Sequence, residues 1–152
     1  MPLLTALLLT VSAGSAAPPI PVPVEEKMQW LRQCERAISA NRDNRKALAE
    51  LLAEDSVKAA ENRNALAARE DFLARHAAWR ELLLLRYDAR RVTELLPEAS
   101  AASAHAGNGR YDEAALNARI VGSERLSNNC IFDIPAFDAA FKASYPPPRS
   151  ER

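Results

Sequence analysis

Residues 65–96 read ALAAREDFLARHAAWRELLLLRYDARRVTELL, and this stretch decides the fold. Its apolar side chains recur at three- and four-residue intervals, the period of an α-helix with one buried side. The set comprises Leu66, Phe72, Leu73, His76, Trp79, Leu82, Leu83 and Tyr87. Residues 82–85 are all leucine, so the helix is apolar around a full turn there, which predicts a position at the centre of a helical bundle. Pro97 is predicted to end this helical stretch.

The segment before this stretch has the same helical character. Residues 24–96 contain neither glycine nor proline, so no backbone-breaking residue interrupts a helix there. The polar cluster at 39–44 predicts a break between two helices, and the second of these is expected to run to about residue 60. The polar residues 61–64 predict another turn or a solvated bend. An apolar face of the first helix is formed by Met28, Leu31, Cys34 and Ile38.

The segment after Pro97 contains shorter elements. Residues 98–106 form a short piece rich in alanine and serine, and the Gly-Asn-Gly sequence at 107–109 predicts a turn. A helix is expected over residues 112–127, with Leu116, Ile120 and Val121 pointing inward. The two asparagines at 128–129 are predicted to end it.

The turn and helix start at residues 109–115, GRYDEAA, resemble the corresponding part of a tetratricopeptide repeat. In that family small, aromatic and alanine positions let paired helices pack closely, so the resemblance implies a closely packed helix pair. It covers about seven residues, and nothing 34 residues upstream repeats it. We therefore interpret this segment as an ordinary helix hairpin.

A last helix is predicted at the C-terminal end of the domain. Pro135 stands at a first helical position, and Phe137 and Phe141 follow one turn apart. No stretch alternates apolar and polar residues as a half-buried strand does. The sequence therefore predicts an all-α fold, an irregular small bundle of about four to six helices.

The N-terminus has the layout of a secretory signal peptide. An apolar run at residues 3–11 is followed by small residues, among which Gly14 and Ala16 fit the two key positions of a signal-peptidase site. We predict a signal peptide over residues 1–16, cleaved near Ala16, and a protein that is periplasmic or secreted. The apolar run is too short to span a bilayer. A buried N-terminal helix is the alternative, because residues 1–4 lack the usual Lys or Arg.

Prolines mark both ends of the mature chain. Those at 18, 19, 21 and 23 predict an extended Pro-rich spacer over residues 17–24, because proline disfavours helical geometry in the residue before it. Residues 25–145 are expected to form a single helical domain, since a chain of 152 residues is too short for two separate cores. The prolines at 146–148 predict an extended tail over residues 146–152. No transmembrane segment is expected in the mature chain.

The two cysteines, Cys34 and Cys130, support export. An even pair in an oxidising compartment is readily interpreted as a disulfide. Such a bridge would close a loop of roughly a hundred residues, worth about 4–5 kcal/mol of stability in the chain-entropy model. The alternative is two buried free thiols. Their separation excludes a Cys-x-x-Cys redox motif or a zinc knuckle.

The charge balance argues against a nucleic-acid partner. Lys and Arg together number 20, as do Asp and Glu, so the formal net charge is zero. A protein without net positive charge has no large field to attract phosphates. Alanine and arginine are abundant, a bias typical of a GC-rich bacterial genome and of helix-forming sequences.

No catalytic motif, metal-ligand cluster or cofactor-binding loop is recognisable. His76 lies on an apolar helix face and is predicted to be a residue of the core edge with one satisfied ring nitrogen, whereas His105 is expected to be exposed. Two histidines and two bridged cysteines do not make a zinc site. Arg86, Arg90 and Arg91 cluster at one end of the long helix as a candidate anion-facing patch; the alternative is a mixed solvated surface.

Three functional hypotheses follow. The first is an exported non-enzymatic protein that binds another protein, as an accessory, inhibitor-like or assembly factor. The second is a periplasmic binder of an apolar small molecule or lipid, lodged near Trp79, Leu83 and Phe137. The third is an enzyme that uses His76. The candidate ligand or partner surface consists of Trp79, Arg86, Arg90 and Arg91.

Overall fold

The computed structural model describes residues 17–103 and 111–143. In these two segments the chain forms five α-helices and no strand, which confirms the all-α prediction. The helices are α1 (Val22–Leu51), α2 (Val57–Arg86), α3 (Ala89–Leu95), α4 (Glu113–Phe132) and α5 (Ile134–Ala143). The predicted signal peptide with its cleavage site, His105, the turn at 107–109 and the tail at 146–152 lie outside the described residues.

Helix α1 extends beyond the first predicted helix in both directions. It begins at Val22, inside the predicted spacer, because Pro23 lies in the first turn, where a helix needs no backbone N–H. Pro21, the residue before the helix, keeps the expected extended backbone with φ −61° and ψ 144°. The predicted break at residues 39–44 is wrong, since α1 passes through it without interruption. In this stretch Asn41 bonds to α4 and Arg42 bonds to Ser100, so these polar side chains do not end the helix.

The turn between α1 and α2 lies at residues 52–56, a stretch that was predicted to be helical. Ser56 begins α2 as a side-chain N-cap, since its Oγ accepts a hydrogen bond from the backbone N–H of Ala59 at 3.1 Å. Helix α2 then runs through the predicted turn at 61–64, which is therefore also wrong. Asp88 caps the short α3 in the same way, by accepting a bond from Arg90 N–H.

Helix α4 passes through the asparagines at 128–129, which were predicted to end it. It begins at Glu113 behind the N-cap Asp112, as the sequence indicated. Asp133 closes α4, and α5 follows directly from Ile134. A proline near the start of α5 is tolerated because the first turn of a helix leaves its N–H groups unpaired.

Helix α1 is the centre of the bundle, and α2 and α4 both pack antiparallel to it. The pairs Arg45–Asn62 and Asn41–Arg69 run in opposite chain directions along α1 and α2. Along α1 and α4, the pairs Cys34–Cys130 and Asn41–Ser123 show the same reversal. Helix α5 packs against α1 and α2 at the end of the bundle where the two cysteines lie.

The main apolar core fills this end of the bundle. Four aromatic rings form one connected cluster, in which neighbouring ring centroids lie 5.3–6.0 Å apart, and they belong to Phe72, Trp79, Phe137 and Phe141. Cys34 and Cys130 form the predicted disulfide inside this core, with Cα atoms 5.6 Å apart. The bridge joins the middle of α1 to the last turn of α4.

A second, smaller core lies near the other end of α1. It contains Ala47, Leu48, Leu116 and Ile120, with Leu52 and Tyr111 packed against it. Val121 was predicted to point inward with Ile120, but it is 74% exposed, because α4 presents only one narrow stripe to α1. Leu85 is likewise 71% exposed, although Leu83 is buried, so the leucine run is not surrounded by protein on every side.

None of the helices in the described segments is long and apolar enough to cross a membrane.

Candidate functional site

The predicted arginine cluster is largely paired with acids. The Arg91 guanidinium lies 3.1 Å from Glu25 and 3.6 Å from Glu94. Arg90 lies 3.4 Å from the same Glu94 carboxylate. Arg86 stacks over the ring of Tyr87, 5.6 Å from its centroid. The structure thus favours the mixed, internally paired surface over an open anion-facing patch.

Trp79 does not belong to any surface. Its side chain is 1% exposed, and its indole N–H donates to Asp138 at 2.7 Å. Its ring packs against Phe72 and Phe137. The assignment of Trp79 to a ligand or partner surface is therefore wrong, because the aromatic core closes over it. The same rings fill the space near Leu83 that the apolar-ligand hypothesis needed.

Phe132 is the most exposed large apolar side chain in the part of the chain that the structure describes, at 83%. It stands between two fixed points of the backbone. Two residues before it, Cys130 is bonded to α1. One residue after it, Asp133 accepts a hydrogen bond of 3.0 Å from the indole N–H of Trp30. An exposed aromatic ring is thus held on a backbone that two long-range contacts keep in place.

Phe132 was not identified from the sequence, because the helix that contains it was predicted to end too early. With α4 ending near 127, the residue had no helical phase. In the observed helix, Cys130 faces α1, and a residue two positions later points about 200° away from it. Helical phase extended from Leu116 and Ile120 would have identified Phe132 as an outward-facing aromatic residue.

His76 is buried, at 1% exposure, and neither ring nitrogen has a hydrogen-bond partner. The prediction that one nitrogen would be satisfied is wrong. Burial lowers the pKa of His76 below 6.5; the nearby Glu35 carboxylate opposes this effect and the Arg80 guanidinium adds to it. A neutral imidazole inside the core does not reach solvent, so the geometry gives no support to a catalytic role.

Glu35 and Arg42 hold the connection between α3 and α4 against α1. The Glu35 carboxylate accepts hydrogen bonds from Ser39 Oγ and from the backbone N–H of Ser100. Arg42 donates to the carbonyl oxygen of Ser100 at 3.0 Å. Burial by itself would raise the pKa of Glu35, but the hydrogen bonds from Ser100 and Ser39 outweigh it and hold the pKa below 4.5.

A layer of buried polar side chains separates the two apolar cores. Arg45 and Arg69 both donate to Asn41 Oδ1 at 2.9 Å and both bind the Glu124 carboxylate, at 2.8 Å and 3.2 Å. Arg45 also donates to Asn62. This layer fills the space where α2 and α4 face one another across α1, and each helix contributes charged or amide groups to it.

The electrostatics of this polar layer depend on Glu124. Burial would raise the pKa of its carboxylate, but the bonds from Arg45 and Asn41 hold it below 4.5. Burial lowers the pKa of the Arg69 guanidinium, with Glu124 opposing this effect and Arg45 adding to it. One carboxylate thus balances two guanidinium groups, which makes Glu124 the key residue of the layer.

A cleft of about 240 Å³ opens beyond the polar layer, where α2 and α4 diverge above α1. Its floor is apolar and its rim carries charges of both signs. The lining residues are Arg45, Leu48, Leu52, Lys58, Glu61, Asn62, Glu113, Asn117, Ile120 and Val121. This cleft could not be predicted from the sequence, because a gap between helices depends on how the helices cross.

In residues 17–103 and 111–143, no group of three or more His, Cys, Asp or Glu side chains is arranged to hold a metal ion.

Comparison with protein-family models, with curated proteins and with solved structures finds no match to this chain.

Proposed function

We propose that this chain is an exported, non-enzymatic helical protein that acts by binding another protein, as an accessory, inhibitor-like or assembly factor. The observation that carries the proposal is Phe132, an aromatic side chain 83% exposed on a braced segment of backbone. Burying such a ring in a partner pocket removes a large apolar area from water.

The bracing of Phe132 matters because binding normally costs side-chain and backbone freedom. Cys130 and Asp133 fix the backbone on either side of it before any partner arrives. An anchor that is already in place loses little entropy on association. Aromatic residues, phenylalanine included, are enriched in protein interfaces, where a few buried anchors carry most of the binding energy.

Two features support the assignment to the periplasm or the extracellular space. Disulfides persist in oxidising compartments, and the Cys34–Cys130 bridge is buried in the main core. Residues 1–16 have the sequence pattern of a signal peptide. The partner is therefore proposed to be a protein of the cell envelope or the surroundings.

Affinity capture from the native host, with mild crosslinking and mass spectrometry, tests the proposal. The tagged protein is compared with Phe132→Ser and with Leu85→Ser, a matched control that removes an apolar residue of 71% exposure from α2. We expect a reproducible envelope or secreted protein that is lost by about tenfold or more in Phe132→Ser, as for an interface hot spot. Leu85→Ser should retain it.

Two outcomes would count against the proposal. Equal capture by all three forms would remove Phe132 as the anchor. The absence of any partner that tracks the tagged protein would contradict protein binding itself. Circular dichroism of both variants checks that the helices remain intact.

A further inference from the structure

The cleft between α2 and α4 is built from one stripe of each surrounding helix. The floor is supplied by Leu48 of α1 and by Leu52, the residue that directly follows this helix. Ile120 of α4 adds to this floor and is 6% exposed. The floor is continuous with the smaller apolar core. An apolar group that lies on it is therefore removed from water.

The rim carries separate positive and negative groups. Lys58 of α2 and Glu113 of α4 face each other across the opening with N–O distance 3.6 Å. Their side chains are 74% and 44% exposed, so this ion pair is weak and easily separated. Glu61 lies one turn after Lys58 on the same side of α2. The opening therefore offers a cation and two carboxylates above an apolar floor.

We propose that this cleft binds a small zwitterionic molecule with one aliphatic side chain, a free amino acid or a short peptide. The ligand carboxylate pairs with Lys58, and its ammonium group pairs with Glu113 and Glu61. Lys58 and Glu113 each keep an oppositely charged partner when their own pair opens, and Glu61 shares the ligand ammonium group with Glu113. The aliphatic side chain lies on Leu48, Leu52 and Ile120.

Size and charge select this ligand over others. A volume of about 240 Å³ is below the roughly 300–1,000 Å³ of pockets for drug-sized ligands. A fatty acid or other lipid would lie against a charged rim and exceed this volume. An anion without an ammonium group would bring its negative charge close to the Glu61 and Glu113 carboxylates and would offer them no positive partner. The guanidinium of Arg45 already binds Asn41, Asn62 and Glu124, so it stabilises the deep wall and leaves charge recognition to the rim.

The test is a titration of the ¹⁵N-labelled, disulfide-intact protein with L-leucine, followed by NMR. We expect saturable shifts of amide signals from Leu52, Asn62 and Val121, which line the cleft. Glycine, which has the charges without the side chain, should bind at least about tenfold more weakly, since it buries no aliphatic group. N-acetyl-leucinamide, which lacks both charges, should also bind at least about tenfold more weakly.

The dipeptide Leu-Gly, which keeps both charges and a single aliphatic side chain, distinguishes the two sources of this chemistry. Tighter binding of Leu-Gly than of leucine assigns the cleft to short peptides, and the reverse order assigns it to free amino acids. Failure of both to produce saturable shifts at the cleft would overturn the proposal. Equal affinity for leucine and N-acetyl-leucinamide would also overturn it, because the rim charges would then play no part.

Variants at the rim of the cleft provide a second test of the proposal. Lys58→Met should weaken leucine binding by about tenfold, as expected for loss of a charge-assisted contact. Lys142→Met is the control, because Lys142 is 64% exposed and pairs with Asp138 beside the main core. Equal weakening by both variants, or none by Lys58→Met, would contradict the proposal. The site does not depend on the proposed partner surface, since Phe132 lies beyond the disulfide at the other end of α4.

Discussion

At the residue scale, His76 shows that a helical pattern can place a titratable group correctly without revealing its hydrogen bonds. The sequence placed it on an apolar helix face with Phe72 and Trp79 on either side, which is where it lies. Hydrogen-bond partners depend on neighbouring helices, and none supplies one to either nitrogen of the ring. The result is an imidazole that the fold tolerates only in its neutral form.

Acidification should therefore destabilise the protein through His76. Its pKa is lowered in the folded state and stands near 6.5 in the unfolded chain, so the unfolded state binds more protons below that pH. The stability that His76 contributes is fully present above about pH 6.5 and is lost as the pH falls towards its folded-state pKa. Urea unfolding at pH 7.5 and 5.5 measures this loss. Glu35, whose pKa lies below 4.5, does not titrate in that window.

His76→Leu should flatten this pH dependence and preserve or increase stability at pH 7.5, because it removes buried nitrogens without partners. His105→Leu serves as the control for the other histidine of the chain. A pH dependence that survives in His76→Leu and disappears in His105→Leu would contradict this account.

Glu124 is the residue on which the polar layer depends. Glu124→Gln leaves Arg45 and Arg69 without their shared counter-charge, so we expect a loss of about 2–3 kcal/mol in the free energy of unfolding. This value is below that for a fully buried pair because the Glu124 side chain is 33% exposed. Glu70→Gln, which breaks an exposed pair with Lys46, should change stability by less than about 1 kcal/mol. Similar losses in both variants by urea unfolding would argue against the layer's importance.

At the element scale, the sequence predicted helices reliably and helix ends poorly. The polar residues at 39–44 looked like a turn, yet Asn41 and Arg42 are buried and bond across to other elements. Asn128 looked like a helix end, but its side chain accepts a bond from Arg69. Polar side chains inside a helix can be satisfied by tertiary partners that a local pattern does not show.

The turn at 52–56 was missed for the converse reason. It contains no glycine or proline, and its local signals are limited to Asp55 and the N-cap Ser56. The turn reverses the chain so that α2 runs antiparallel to α1, and Ser56 caps the helix that follows it.

Ser56→Ala should accordingly lower the free energy of unfolding by about 1 kcal/mol, because the Ala59 N–H loses its acceptor. Glu54→Ala, in the same turn, is the control and should have a smaller effect. Urea unfolding monitored by circular dichroism compares the two. An unchanged stability in Ser56→Ala would show that packing alone fixes the start of α2.

At the scale of the whole molecule, three layers follow one another along α1. The aromatic core with the disulfide is followed by the polar layer, and the smaller apolar core with the cleft comes last. Helix class and the disulfide could be predicted because they depend on local periodicity and on two cysteines. The polar layer, the cleft and the exposure of Phe132 could not, since they depend on how three helices face one another.

The disulfide should account for much of the stability of this arrangement. It spans a sequence separation of 96 residues, so the Cys34→Ala/Cys130→Ala double variant should lose about 2–5 kcal/mol in the free energy of unfolding. Reductant should have a comparable effect on the natural chain and none on the variant. A variant as stable as the oxidised protein would show that the bridge constrains little.

Export is the central claim, because the proposed partner and the proposed compartment both depend on it. The intact mass of the protein recovered from fractionated native cells, before and after reduction and alkylation, tests it most directly. We predict a chain that begins at Ala17, found outside the cytoplasm, which takes up alkyl groups on Cys34 and Cys130 only after reduction. A chain that retains Met1 in the cytosol, with both thiols alkylated without reduction, would contradict the claim.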